Sequence, residues 1–376
     1  MKITDIKSFL VRPGQSKNGW QVAKHLLLVK VETDEGIVGW GEAFTLVDRE
    51  KSIVQNLANL SRYVRGRDPS RIKEFTHWAS NRFSEGRPGL ELFCAVSGIE
   101  QALWDIAGKK LRVPVSDLLG GPCRDRIRVY ANGWTSGAKT PGEMAERAAK
   151  VVSMGFDAIK FYPFREQDSE KAIVDKVRAV REAIGPKVDL LIDVWRQPDL
   201  LKSVRVARML EEWGVFWYEE PVPSENLDRL AEVRRAIGLP VVTGECLYTK
   251  FAFREVLEKG AADILNPDVA SCGGILELKE ISAMAEPYGV MISPHNYNST
   301  TMALAATLQV SAVIPNFMIT EYFVNFEETG NAISLDPFKV EAGSIRVPRK
   351  PGLGLEINEE ALRDYAYQEF PLRTWG

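Results

Sequence analysis

Beyond Pro122 the chain repeats one pattern eight times, a short apolar run followed by a helical stretch of about a dozen residues. The runs cover 127–131, 158–162, 190–194, 215–218, 241–244, 264–266, 290–293 and 317–320. Strands that alternate with helices pair in parallel through right-handed crossovers, and eight such units are the number that closes a (β/α) barrel. The competing arrangement is an open doubly wound sheet. No G-x-G-x-x-G follows any run, which counts against the dinucleotide-binding form of that alternative.

The flanks read differently. Lys24 to Glu32 is rich in β-formers, Asp34-Glu35-Gly36 is a turn, and Ile37 to Ala43 returns as a strand, so the segment predicts a hairpin. From Glu50 to Leu119 the pattern is helical, with Ile99, Ala102, Leu103, Ile106 and Ala107 at three- and four-residue spacing before the Leu119-Gly120-Gly121-Pro122 stop. Ser344 to Val347 is strand-like and Glu359 to Tyr367 helical. The expected division is an α+β domain over 1–125, a barrel over 126–334 and a segment over 335–376 that packs back on the first domain. With 376 residues, 45% of them hydrophobic, the chain can bury such a core.

Lys and Arg number 48 against 51 Asp and Glu, so no net positive field attracts nucleic acid or an anionic leaflet. No apolar stretch approaches the ~20 residues that cross a bilayer. Met-Lys-Ile-Thr-Asp-Ile lacks the features of a signal peptide, and the expectation is a cytoplasmic protein. Four cysteines, at 94, 123, 246 and 272, form no C-x-x-C and are expected to be buried small hydrophobes.

A buried parallel strand is apolar throughout, so charge at its carboxyl end needs a reason. Consecutive runs end on Asp193, Glu219 (followed by Glu220), Glu245, Asp268, His295 and Glu321, at intervals of 26, 26, 23, 27 and 26 residues. In a barrel these six side chains stand around the mouth where active sites lie. Three carboxylates on adjacent strand ends repel unless a cation sits among them, and all-oxygen ligation suits Mg²⁺. His295, one strand beyond Asp268, can form an Asp-His dyad with it. His25 and His77 have no motif around them and are expected to be structural. The second run ends Lys160-Phe161-Tyr162, whose first and third side chains share a face. Lys160 and a nearby cation would push the Tyr162 phenol down toward a useful base; the plainer alternative is a core aromatic beside a snorkelling lysine. A metal with an acid/base group on each side suits removal of the proton next to a carboxylate, with the enediolate held by metal charge.

On these residues the chain resembles the enolase superfamily, mandelate racemase subgroup. The resemblance extends from Val-Glu-Thr-Asp-Glu-Gly-Ile-Val-Gly-Trp-Gly-Glu through Ala102-Leu103-Trp104-Asp105-Ile106-Ala107-Gly108-Lys109 to the strand ends. It implies an α/β fold, a modified TIM barrel (β/α)7β with eight strands and seven complete helices under an α+β capping domain built from both termini. It also implies Asp193, Glu219 and Glu245 as Mg²⁺ ligands, Asp268 and His295 as the dyad, and Glu321 as the acid that hydrogen-bonds the bound carboxylate or enediolate. Two positions depart from the subgroup: Tyr162 stands where the second lysine of Lys-x-Lys is usual, and Trp195 where Asn or His is frequent. The base on that face is therefore open between Tyr162 and Lys160, and Trp195 walls the site.

The implied activity is dehydration of a sugar acid to a 2-keto-3-deoxy acid, a carbon–oxygen lyase. Tyr162 helped by Lys160, or else His295, takes the α-proton, and His295 is the expected donor to the departing 3-hydroxyl. A racemase, epimerase or cycloisomerase using the same chemistry is the alternative; a Schiff-base aldolase on Lys160 and a non-catalytic barrel are more distant ones. Substrate choice is expected in the loops 12–24 and 44–51, with Arg12, Trp20 and Trp195 as substrate contacts and Trp20 as a lid. Relatives in this subgroup usually assemble as symmetric oligomers, and a homo-oligomer is expected.

Overall fold

The computed structural model describes residues 1–14, 16–20, 24–165, 167–196, 199–297 and 299–371. Strands β1 (Ile3–Val11), β2 (Leu26–Thr33) and β3 (Val38–Ala43) form an antiparallel sheet in that order, with β2 and β3 the expected hairpin. Helices α1 (Glu50–Val64), α2 (Ile72–Trp78), α3 (Leu90–Leu111) and the short α4 (Val115–Leu118) follow. Ile99, Ala102, Leu103 and Ile106 of α3 pack on Leu27, Val29 and Val31 of the sheet. The Gly-Trp-Gly of β3 lies directly on the α3 backbone. A Cβ on Gly39 would stand 2.1 Å from the Ala102 carbonyl, and one on Gly41 2.1 Å from that of Gly98, so a larger residue at either would separate helix from sheet.

The barrel alternates β4 (Arg126–Asn132), α5 (Pro141–Ser153), β5 (Ala158–Phe161), α6 (Glu170–Ile184), β6 (Asp189–Asp193), α7 (Leu200–Leu210), β7 (Val215–Glu219), α8 (Leu227–Ala236), β8 (Val241–Thr243), α9 (Thr249–Lys259), β9 (Ile264–Leu265), α10 (Ile275–Ala285), β10 (Met291–Ile292), α11 (Met302–Val313) and β11 (Thr320–Phe323). The strands pair in parallel in the order β10-β9-β8-β7-β6-β5-β4-β11. Closure comes through the residues that lead into β11. Phe317 bridges Ile292, whose amide donates to Asn316 O at 2.8 Å and whose carbonyl accepts from Met318 N at 2.9 Å. The eighth run, expected at 317–320, is thus only the half of the last strand that meets β10; residues 320–323 turn to β4. Tyr130, Leu191, Trp217, Val242, Ile264 and Ile319 form a cluster of buried side chains drawn from the barrel strands.

Several barrel helices carry their own amino-terminal caps: the Thr140–Glu143 capping box on α5, Ser169 on α6, Asp199 on α7 and Asn226 on α8. At α10 and α11 the capping layer supplies the acceptor instead. Glu100 of α3 accepts from Ile275 N at 2.8 Å and Leu276 N at 3.0 Å, and Glu42 of β3 from Ala303 N at 3.0 Å and the Ser299 and Thr301 hydroxyls at 2.7 and 2.8 Å. The two layers are therefore joined by buried carboxylates on helix amino termini. Gly274 permits the first: its φ is +99°, and a Cβ there would meet Glu100 Oε2 at 2.1 Å.

The C-terminal segment does two things. Strand β12 (Ser344–Arg346) pairs antiparallel with β4 of the barrel, an added edge that the sequence reading did not include. The chain then returns to the first sheet, where Leu353 N donates to Asp105 Oδ1 at 2.8 Å and Val11 bridges Ala366. The helix expected over 359–367 is a 3₁₀ turn, Ala361–Tyr365. All four cysteines are free; Cys94 and Cys272 are buried, but Cys123 is exposed. Among the described residues no helix is long and apolar enough to cross a membrane.

Glu100→Ala strands the Ile275, Leu276 and Trp104 N–H donors, and we expect it to lower unfolding stability by about 3 kcal/mol. Denaturant melts read this directly; a loss under about 1 kcal/mol would contradict the inter-layer role assigned to this carboxylate.

Candidate active site at the barrel mouth

The strand register brings the acids together. Asp193 and Glu219 are partners across β6 and β7, and Glu245 lies two residues beyond β8. One carboxylate oxygen from each of the three lies within 4.8 Å of the others. Burial, then the neighbouring Glu219, push Asp193 up to about 7, with Lys160 opposing. Burial likewise drives Glu245 well above the carboxylate range, against the pull of His295. Glu219 Oε1 accepts from Lys160 Nζ at 2.6 Å and Asn266 Nδ2 at 3.0 Å, but its buried Oε2 has no hydrogen-bond partner. An orphaned carboxylate oxygen inside an all-oxygen triad fits a hard divalent cation, and these three residues could hold one.

Lys160 is 1% exposed and threads between carboxylates, 3.3 Å from Glu321 and 3.8 Å from Asp193 besides its bond to Glu219. Burial disfavours its charge, but Glu219 and Glu321 outweigh that and raise it well above the ordinary lysine value. On the other side of the triad, His295 Nδ1 meets Asp268 Oδ2 at 2.7 Å, and Asp268 Oδ1 is fixed by Ala270 N at 2.7 Å. His295 Nε2 stands 3.4 Å from Glu245 and 3.5 Å from Glu321. Burial works against the imidazolium, yet Glu321, Glu245 and Asp268 together raise it to about 9.

Glu321 lies between the two cations. It is the second residue of β11, one place into the strand and not at its carboxyl edge. Its oxygens accept from Asn132 Nδ2 at 2.7 Å and Asn296 N at 3.0 Å. Although burial would raise it, Lys160 and His295 hold it down at about 2.

Tyr162 follows the end of β5, 41% exposed, and lines the same cavity of about 610 Å³ as Lys160, Asp193, Glu245 and His295. The phenol is pushed up and not down: burial comes first, and the Asp193 and Asp168 charges add to it. The expected lowering rested on Lys160 together with a nearby cation; Lys160 itself is bonded to Glu219 and lies close to Glu321. Trp195 also lines the cavity, 54% exposed, in a left-handed conformation (φ +52°) with its N–H on Asp193 Oδ1 at 2.9 Å.

Two expected substrate contacts lie elsewhere. Trp20 is 2% exposed in the core with Val11, Leu26 and Trp40, so it is packing and no lid. Arg12 donates to Glu369 O at 2.9 Å and lies over the Phe370 ring, tying down the C-terminal segment. Of the loop 12–24, residues 15 and 21–23 lie outside the described residues. His25 bonds Glu50 Oε1 at 2.6 Å and the Gln368 carbonyl at 2.9 Å, a structural role. His77 contacts the Asn81 amide.

At the mouth Asn132 and Asn266 were not foreseen, and Lys24 only as the end of the loop 12–24. Asn132 and Asn266 are polar groups at strand ends, and the rule that found the acids would have found them had it been extended to amides. Lys24, from the capping layer, carries no such signal; it lines the cavity with its ammonium over the Phe44 ring, 3.1 Å from the centroid.

Residues 143–361 match the family described as enolase C-terminal domain-like, and residues 6–120 match the mandelate racemase/muconate lactonizing enzyme N-terminal domain. The chain is 36% identical over 357 residues to a D-galactonate dehydratase of Variovorax paradoxus (strain S110), covering 91% of each chain. It is 32% identical over 372 residues to a D-gluconate dehydratase of Thermoproteus tenax, covering 96% of this chain and 74% of that one. Among solved structures, an enolase from the Sargasso Sea environmental genome superposes with a TM-score of 0.93 at 32% identity, covering 98% of this chain and 97% of the other. Two matched regions with a capping sheet over an eight-stranded barrel, and relatives aligned along nearly the full length, leave one assignment: the chain belongs to the enolase superfamily, in its mandelate racemase subgroup.

Proposed function

We propose that the protein is a Mg²⁺-dependent sugar-acid dehydratase that converts a 2,3-dihydroxy acid to its 2-keto-3-deoxy product. The observation that carries this reading is the placement of Lys160 and His295, on either side of the carboxylate triad, in the wall of one cavity with Glu321 between them. The names of the two relatives, a galactonate and a gluconate dehydratase, point the same way.

Asp193, Glu219 and Glu245 would hold a divalent cation, which would supply positive charge beside the substrate carboxylate and so acidify the α-proton; with Asp193 and Glu219 engaged, the Lys160 ammonium would release its proton to solvent more readily. Once that proton has left, the neutral Lys160 amine takes the C2 proton. Tyr162, half exposed just beyond β5, is the other candidate on that face. His295 is held by Asp268 with Nε2 toward the cavity, and it enters as the imidazolium. As the C2–H electrons form the C2–C3 double bond, the C3–O bond breaks and Nε2 delivers its proton so that the hydroxyl leaves as water. The enol then tautomerises to the 2-keto acid.

Three outcomes follow. Incubation with aldonic and aldaric acids plus Mg²⁺ yields 2-keto acid from at least one of them, and EDTA abolishes it; epimerised acid with no keto acid would move the assignment to the epimerase alternative. Lys160→Met and His295→Asn each lower kcat by about 10³-fold or more while the thermal midpoint still rises on adding Mg²⁺. Tyr162→Phe keeps kcat within about tenfold of the parent; a loss as deep as that of Lys160→Met would transfer the base to the phenol.

A further inference from the structure

Lys24 is a buried cation at the mouth for which the proposed chemistry has no use. It enters just ahead of β2, is 4% exposed, and its Nζ has no hydrogen-bond partner. Ring faces surround it instead: Phe44 at 3.1 Å and Tyr297 at 4.7 Å from the centroids. Glu42, Asp268 and Glu245 act on it through space, yet none of them accepts one of its N–H bonds. Burial therefore prevails and pushes it down to about 7. An ammonium has three donors, and leaving them unmade in a buried wall is costly. Such a group persists where something that visits the cavity supplies the missing oxygen.

Its place in the site says which oxygen. In the dehydratase reading the substrate carboxylate would lie at a cation held by Asp193, Glu219 and Glu245, and His295 would address the oxygen on C3. Phe44 and Tyr297, which carry Lys24 on their faces, have their ring centroids 6.2 and 6.0 Å from that of His295. Lys24 thus lines the cavity from the capping layer on the dyad's side, with its Nζ buried against the rings.

We infer that Lys24 is a substrate-binding residue whose ammonium donates to an oxygen of the sugar acid beyond C3, an inference that rests on the dehydratase reading. In an aldonic acid that oxygen is a hydroxyl; in an aldaric acid it can be the second carboxylate. Short 2-hydroxy acids that end at C3 offer nothing to this group.

The test uses the full chain with Mg²⁺, as the parent and as Lys24→Met and Lys24→Gln, against a six-carbon aldonate, the matching aldarate and glycerate. Binding is measured by calorimetry and turnover by keto-acid formation. We expect the variants to weaken binding of the six-carbon acids and raise KM by about tenfold or more, with a smaller fall in kcat. Glycerate affinity stays at the parent value, and the thermal midpoint of the ligand-free protein does not fall. A larger loss for the aldarate assigns the contact to the second carboxylate, and an equal loss to a hydroxyl. Parent-like affinity for both six-carbon acids overturns the inference, as does an equal loss for glycerate. If the parent binds the acids but forms no keto acid, the dehydratase reading falls while calorimetry still decides Lys24; if it binds none of them, both fall.

Discussion

Five carboxylates crowd one end of the barrel, and the positive charge needed to hold them there organises the site. Among the described residues, Asp193, Glu219, Glu245, Asp268 and Glu321 meet two cations within ion-pair distance, Lys160 and His295. Taking a carboxylate out of water costs several kcal/mol or more unless it is paired and hydrogen-bonded. The pairing is uneven. Glu321 sits between both cations and stays ionised, while Asp193 and Glu245 are pushed upward and Glu219 keeps a buried oxygen without a partner. The shortfall in positive charge is concentrated where three strand ends converge, and this is where a divalent ion has both its ligands and its reason to bind.

The sheet and helices laid over the barrel are held by the same chemistry used in reverse. Glu42 and Glu100 are buried carboxylates, but they satisfy the amide donors at the starts of α11 and α10, so each fills an electropositive end that the barrel leaves open. Close contact of β3 on α3 through Gly39 and Gly41 fixes where Glu42 emerges. The capping layer therefore closes the mouth through bonds to the barrel's own helix termini, and in doing so it brings Lys24 and Phe44 to the wall of the reaction cavity. Asp105, within the stretch that carried much of the family resemblance, proves to be structural. It accepts from Trp40 N and Leu353 N and so ties the hairpin to the returning C-terminal segment.

The residues legible from sequence were those whose chemistry conflicts with their position. An acid at the end of an apolar run is costly in a barrel unless it has work there, and the regular interval from Asp193 to His295 made the set visible before any contact was known. What stayed hidden depended on partners distant in the chain. Trp20 and Arg12 belong to a polar, glycine-containing stretch that reads as a surface loop, yet one is buried by core packing and the other is held by residues more than 350 positions away. The direction of the Tyr162 shift depends on its burial and on the nearby Asp193 and Asp168 charges, which spacing does not encode. The split pairing of the last strand, toward β10 and then β4, follows from barrel closure and has no local signature.

The central claim is that the triad holds a divalent cation. Anomalous diffraction from crystals soaked in Mn²⁺ tests it without reference to any substrate. The account predicts a single strong peak at the mouth, ligated by Asp193, Glu219 and Glu245, that disappears in the Glu219→Gln variant. Crystals that show no peak there at saturating Mn²⁺, with the three carboxylates still paired only with Lys160, His295 and backbone or amide donors, would contradict it.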